Sequence, residues 1–187
     1  MNGLAILYRP RSALNRLAAS PRLSVGFAYV VVSGVVSAAI GIATASLEGS
    51  GASGLLSSLL VLPLFVAYWL VQGWLIDAGA GMIGRAGRRR EFFAVSGPVF
   101  LPWIVYALLS LAEAAATHGG GAGPSVASGL AWLTVPVLAW FLTLTILAIR
   151  AVYDAPMLNA FALTLLPYAV VSAALLVLGA FAGVLRG

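Results

Sequence analysis

A chain of 187 residues that is 62% hydrophobic and 8% charged cannot form a water-soluble domain. A soluble surface needs about 25% charged residues, so the solvent for most of this chain is lipid. The formal net charge of +5 comes from arginines with no lysine, and the absence of cysteine excludes disulfides, thiol catalysis and cysteine metal sites.

In a soluble protein such a charge would suggest nucleic acid. Here the arginines border apolar spans, so topology accounts for them and no nucleic-acid partner is expected. The Ala, Gly, Pro and Arg content points to a GC-rich, bacterial genome. Glycine and proline at this level suit membrane helices, where neighbouring helices satisfy the freed backbone groups.

Residues 1–24 read as a cytoplasmic segment carrying Arg9, Arg11, Arg16 and Arg22, with Pro10 and Pro21. Over residues 12–19 a short helix would place Leu14 and Leu17 on one face and Asn15 and Arg16 on another. Such a helix can lie in the headgroup layer; the plainer alternative is a tail that only anchors topology.

Residues 25–187 are expected to form a five-helix transmembrane domain. The first span covers residues 25–46, with Gly34, Ser37, Ala38, Gly41 and Ala45 as small residues along one side. Ala43-Thr44-Ala45 has the form of a signal-peptide cleavage site. The apolar run before it exceeds the usual 7–15 residues or so, so a retained helix is expected. A polar turn at 48–53 leads to the second span, residues 55–76, which contains Pro63.

That span runs into Asp77, then Gly79, Gly81 and Gly84, then Arg85, Arg88, Arg89, Arg90 and Glu91. An apolar helix that ends in a basic loop marks a cytoplasmic exit. The third span, 92–113, contains Pro98 and Pro102, and a flexible loop is expected over 117–128. The fourth, 129–149, contains Pro136, and a polar connection at 150–157 precedes the fifth. The fifth, 158–185, contains Pro167 and the small-residue pattern Gly179-x-x-x-Gly183. A proline inside a helix removes one hydrogen bond, so Pro98, Pro102, Pro136 and Pro167 are candidate kinks.

Five spans from a cytoplasmic N-terminus put nine arginines inside (Arg9, Arg11, Arg16, Arg22, Arg85, Arg88, Arg89, Arg90, Arg150) and only Arg186 outside. This asymmetry is the positive-inside pattern, and it supports the spans independently of hydropathy.

Gly79-Ala80-Gly81-Met82-Ile83-Gly84 matches G-x-G-x-x-G, but a dinucleotide site needs a strand before it and a helix after it. Close packing or a tight exit explains these glycines better. Asp77, at the inner end of the second span, is either a functional acid at membrane depth or an interfacial partner for an arginine. Arg150, Tyr153, Asp154 and Asn159 form a second polar group on the same side. There Arg150 can pair with Asp154 or with the C-terminal carbonyls of its helix. With Asp77, Gly84, the arginine run and Glu91, this group makes one candidate cytoplasmic polar surface. On the outer side, one Glu and one His, Glu113 and His118, are too few ligands for a metal. No nucleophile motif is present, and neither catalysis nor a metal or other cofactor is expected. Trp74, Trp103 and Trp132 suit interfaces or bundle packing.

Several stretches resemble the Yip (Ypt-interacting protein) domain family, especially its bacterial members. Leu7-Tyr8-Arg9-Pro10-Arg11 through Ser20-Pro21-Arg22 resembles its N-terminal segment. Leu75-Ile76-Asp77 through Ile83-Gly84-Arg85-Ala86-Gly87 is similar to the stretch after its second span. Pro98 and Pro102 resemble its third-span proline. Ala148-Ile149-Arg150-Ala151-Val152-Tyr153 through Leu158-Asn159-Ala160 resembles its fourth connection. The chain departs from the pattern at Gly84-Arg85, where Gly-Gly is common, at Asp77, where His is frequent, and at Asn159, where Arg is frequent. The resemblance implies five membrane helices and a cytoplasmic N-terminus. Eukaryotic members bind small Rab-type GTPases in vesicle traffic; bacterial members supply no settled role.

The sequence therefore reads as an all-α polytopic membrane protein of a bacterial cytoplasmic membrane. The leading expectation is a non-enzymatic organiser of lipids, anionic ones included, or of a protein partner at its cytoplasmic face, able to self-associate. The alternative is a small transporter or channel for a cation, a proton or a small solute, with Asp77 in its pathway.

Overall fold

The computed structural model describes residues 5–85, 87–118 and 124–184. Among these the chain is all-α. Five helical stretches are long and apolar enough to cross a membrane: Leu23–Glu48, Gly51–Met82, Arg89–His118, Val126–Tyr153 and Met157–Ala174. Large apolar side chains face outward along them, among them Val32, Leu59, Leu64 and Leu138. Lipid is the partner that such a surface requires. The molecule is a polytopic helical membrane protein.

Before the first span lie α1 (Ala5–Tyr8) and α2 (Pro10–Ala19). Pro10 opens α2 at a position that needs no N–H. The expected amphipathic helix is present, with Ala13, Leu14 and Leu17 buried. Its apolar face covers the protein rather than lipid, because α2 packs on α8 and α5.

The first span is α3 (Leu23–Glu48), which ends at Gly49 in the left-handed conformation (φ 65°). It packs most extensively on the second, α4 (Gly51–Met82), and next on α6. The small-residue side does face these neighbours. Gly34 lies against Leu62, Gly41 lies against Ser58, and Ser37 and Ala45 are buried. Pro63 lies inside α4 without interrupting it.

The helix runs more than a turn past the span end expected at residue 76. α4 continues through Asp77 to Met82, so Asp77 is a helical residue. Gly79 serves packing, for an added Cβ would lie 2.6 Å from both Leu163 and Leu166. Gly84 (φ 73°) makes the exit, with its own N–H donating to Gly81 O and that of Arg85 to Ala80 O.

The third span is not one uniform helix. α5 (Arg89–Ser96) passes through a 3-10 turn, Gly97–Phe100, into α6 (Leu101–His118). Pro98 sits in that tightened turn and Pro102 in the first turn of α6. The fourth stretch is also divided, into α7 (Pro124–Trp132) and α8 (Thr134–Tyr153), with a break at Leu133. Pro136 thus lies in the first turn of α8 rather than kinking a helix interior; its missing N–H falls where the Trp132 carbonyl is released. α9 (Met157–Val184) holds Pro167 inside an unbroken helix. Of the loop expected over 117–128, both ends are helical, and residues 119–123 lie outside the described residues. Arg186 also lies outside them, and on α9 nothing is described of the faces at Gly179 and Gly183 beyond the backbone.

Because α2 packs on α5 and α8, the N-terminal segment lies at the same end of the bundle as residues 83–85, 87–88 and 154–156. All nine described arginines gather there.

Candidate functional site

The polar end is built where α4, the loop after it, and the C-terminus of α8 meet. α8 ends because Asp154 adopts the left-handed conformation (φ 50°), with its N–H donating to Arg150 O. Asp tolerates this conformation better than most residues other than Gly and Asn. The last carbonyls of α8 then lack helical partners and carry its negative dipole end.

Two arginines from the α4–α5 loop supply those partners. Arg85 Nη1 donates to Tyr153 O at 2.7 Å and also to Asp154 O, and it stands 3.8 Å from Asp154 Oδ2. Arg88 Nη1 donates to Val152 O at 2.7 Å. A guanidinium fits this task because its planar fork serves several acceptors at once.

Asp77 belongs to the same junction, though its partner is not the expected arginine. The buried Tyr153 donates its hydroxyl to Asp77 Oδ1 at 3.0 Å, with its ring tilted against Phe92. Asp77 is half-buried. The local Arg150–Asp154 pair is not formed; Asp154 takes Arg85, and among the described residues Arg150 Nη1 approaches only Met157 Sδ, at 4.0 Å. Arg89 stacks over the Trp74 ring at 5.4 Å, a cation–π contact at an exposed aromatic. Arg90 is exposed and Asn159 half-buried. Glu91 is half-buried, and its Oε2 has no hydrogen-bond partner among the described residues.

The structure thus joins Asp77, Arg85, Arg88, Tyr153 and Asp154 in one hydrogen-bonded junction and leaves Arg89, Arg90 and Arg150 beside it. No group of three His, Asp or Glu residues fit for a metal occurs among the described residues.

At the other end lies a cavity of about 540 Å³ between α3, α4 and α6. Ser37, Thr44, Ser57, Ser58 and Ser110 line it, with Trp103 and Tyr106. Its signal in the sequence is the run of small hydroxyl residues on α3 and α4, which reads equally well as helix packing. The lining reaches no deeper along α4 than Phe65, twelve residues and so roughly 18 Å short of Asp77. Between them stands an aromatic layer in which Phe65 meets Phe100 and Trp103, and Trp103 meets Phe141. Gln72, inside the second span, is almost wholly buried, and its Nε2 is unpartnered among the described residues; nothing in the packing explains it.

No family model matches this chain, and neither a curated protein nor a solved structure does.

Proposed function

We propose that this is a non-enzymatic protein of the Yip-domain type, set in a bacterial cytoplasmic membrane, that organises anionic lipids or a protein partner through its arginine-bearing face. One observation carries the reading: the arginines divide into two sets. Arg85 and Arg88 are occupied by the carbonyls of α8, while Arg9, Arg11, Arg16, Arg22, Arg89 and Arg90 stay exposed at the same end. The first set closes the junction, and the second remains available to an anionic surface. Each exposed arginine near such a surface adds about 1 kcal/mol, screened within a Debye length. The gathering of nine arginines at one end supports a cytoplasmic placement of that face. The transporter alternative draws on the 540 Å³ cavity, but Asp77 is not part of its lining.

Lipid retained by the detergent-extracted protein is the test. Wild type should be enriched in anionic over zwitterionic lipid, less so as salt rises. Changing Arg16, Arg89 and Arg90 together to Gln should lower that enrichment at least about fivefold, given about 1 kcal/mol per charge before screening. Retention unchanged in the triple variant would contradict the reading.

A further inference from the structure

We propose that the pocket between α2 and the last turn of α8 binds one phosphate group through Arg11, Asn15 and Arg150. This rests on the reading that the arginine end faces an anionic membrane surface. Arg11 and Asn15 are one turn apart on α2, and Arg150 and Asp154 are one turn apart at the end of α8. Because α2 packs on α8, the two pairs face each other across a pocket of about 230 Å³, lined also by Leu147 and Ala155. That is several times the roughly 30 Å³ share of one water.

Both guanidiniums are unspent. Among the described residues neither Arg11 nor Arg150 makes an ion pair, and the nearest polar contact of Arg150 is a thioether. The one carboxylate in the lining, that of Asp154, stands beside Arg85. The C-terminal end of a helix ordinarily repels an anion. Here the carbonyls of Val152, Tyr153 and Asp154 already accept from Arg85 and Arg88, which offsets that repulsion. Two planar forks and an amide suit phosphate oxygens, which accept bidentate, charge-assisted bonds. Arg9 lines an adjoining concavity that shares Arg11 and Asn15, so a second anionic oxygen can be met there. The ligand class is a phosphate ester, carried by a lipid headgroup or by a soluble molecule.

The full-length protein in neutral detergent is titrated with short-chain phosphatidylglycerol, with phosphatidylcholine and with inorganic phosphate, and bound adducts are read by native mass spectrometry. Saturable phosphatidylglycerol binding is expected, exceeding that of phosphatidylcholine and weakened at least about tenfold in Arg11→Gln/Arg150→Gln. Arg11→Lys/Arg150→Lys, which keeps the charge and loses the fork, should fall between. Competition by millimolar inorganic phosphate would assign a soluble ligand, and its absence a lipid headgroup; either is a phosphate site. Arg11→Gln alone changes an exposed side chain and serves if the double variant fails to fold; it should still weaken binding severalfold. Phosphatidylglycerol affinity within twofold of wild type in these Gln variants, or no binding of either ligand to wild type, would overturn the site. If Arg89→Gln/Arg90→Gln loses lipid while Arg11→Gln/Arg150→Gln does not, the arginine face stands and the pocket falls.

Discussion

Gly97→Ala lowers the melting temperature of the detergent-solubilised protein by roughly 6–12 °C, and Gly97→Leu prevents assembly of the bundle. The reason is a backbone-to-backbone approach between the first and third spans. A Cβ at Gly97 would fall on the carbonyl of Gly26 and 2.5 Å from its Cα, while a Cβ at Gly26 would meet Ala94 Cα at 2.9 Å. Backbone atoms cannot rotate aside as a side chain can, so the helices must separate. Overpacking commonly costs about 1–3 kcal/mol; a contact with backbone on both sides belongs at the upper end. At roughly 2–4 °C per kcal/mol for a chain of this size, about 3 kcal/mol gives the stated shift. Gly129→Ala is the control. Among the described residues nothing lies within 4 Å of its added Cβ, and it should hold or slightly raise the melting temperature. A melting temperature for Gly97→Ala within 2 °C or so of wild type would mean that the approach is looser than described.

Arg85→Met/Arg88→Met should release the end of α8. Three carbonyls lose their donors at once, those of Val152, Tyr153 and Asp154. Hydrogen bonds to a charged donor contribute about 1.5–3 kcal/mol when shielded. Arg88 is exposed and the Arg85 side chain is 36% exposed, so about 1 kcal/mol each is the discounted figure. Amide exchange over residues 150–156 should therefore quicken by at least about tenfold, while exchange in α3 stays the same. Arg85→Lys/Arg88→Lys should recover part of the protection, since an ammonium still favours a helix C-terminus but sits on a shorter side chain without the planar guanidinium. Exchange within twofold of wild type in the Met pair would show that these contacts carry no stability.

The five spans and the gathering of the arginines could be read from the chain because lipid imposes both: length from bilayer thickness and charge from sidedness. The apolar face of α2 could be read too, from Leu14 and Leu17, but not its partner, since nothing local to residues 12–19 distinguishes lipid from α8. The extension of α4 to Met82 was not legible, because Asp77 and the glycines look like an exit. Only Tyr153, 76 residues away, accounts for an acid in that helix, and only Leu163 and Leu166 account for Gly79. The pairing of Asp154 failed for a similar reason. Proximity in sequence favours Arg150, but the left-handed turn at Asp154 ends the helix there and leaves its side chain beside Arg85. Proline positions were visible, yet their effects depended on context: Pro63 and Pro167 lie in unbroken helices, and Pro98 lies in a tightened turn.

Flux through the reconstituted protein separates an organiser from a conduit. Proteoliposomes holding wild type or Asp77→Asn would be given a pH or cation gradient, and its decay compared with that in empty liposomes. Asp77 is held by Tyr153 in a closed junction, and the 540 Å³ cavity ends at the aromatic layer above it. Neither protein should speed the decay. Asp77→Asn, whose amide oxygen can still accept from Tyr153, should stay folded within about 1 kcal/mol of wild type. Proton or cation flux through the wild type that Asp77→Asn abolishes would contradict the organiser reading and make Asp77 part of a pathway.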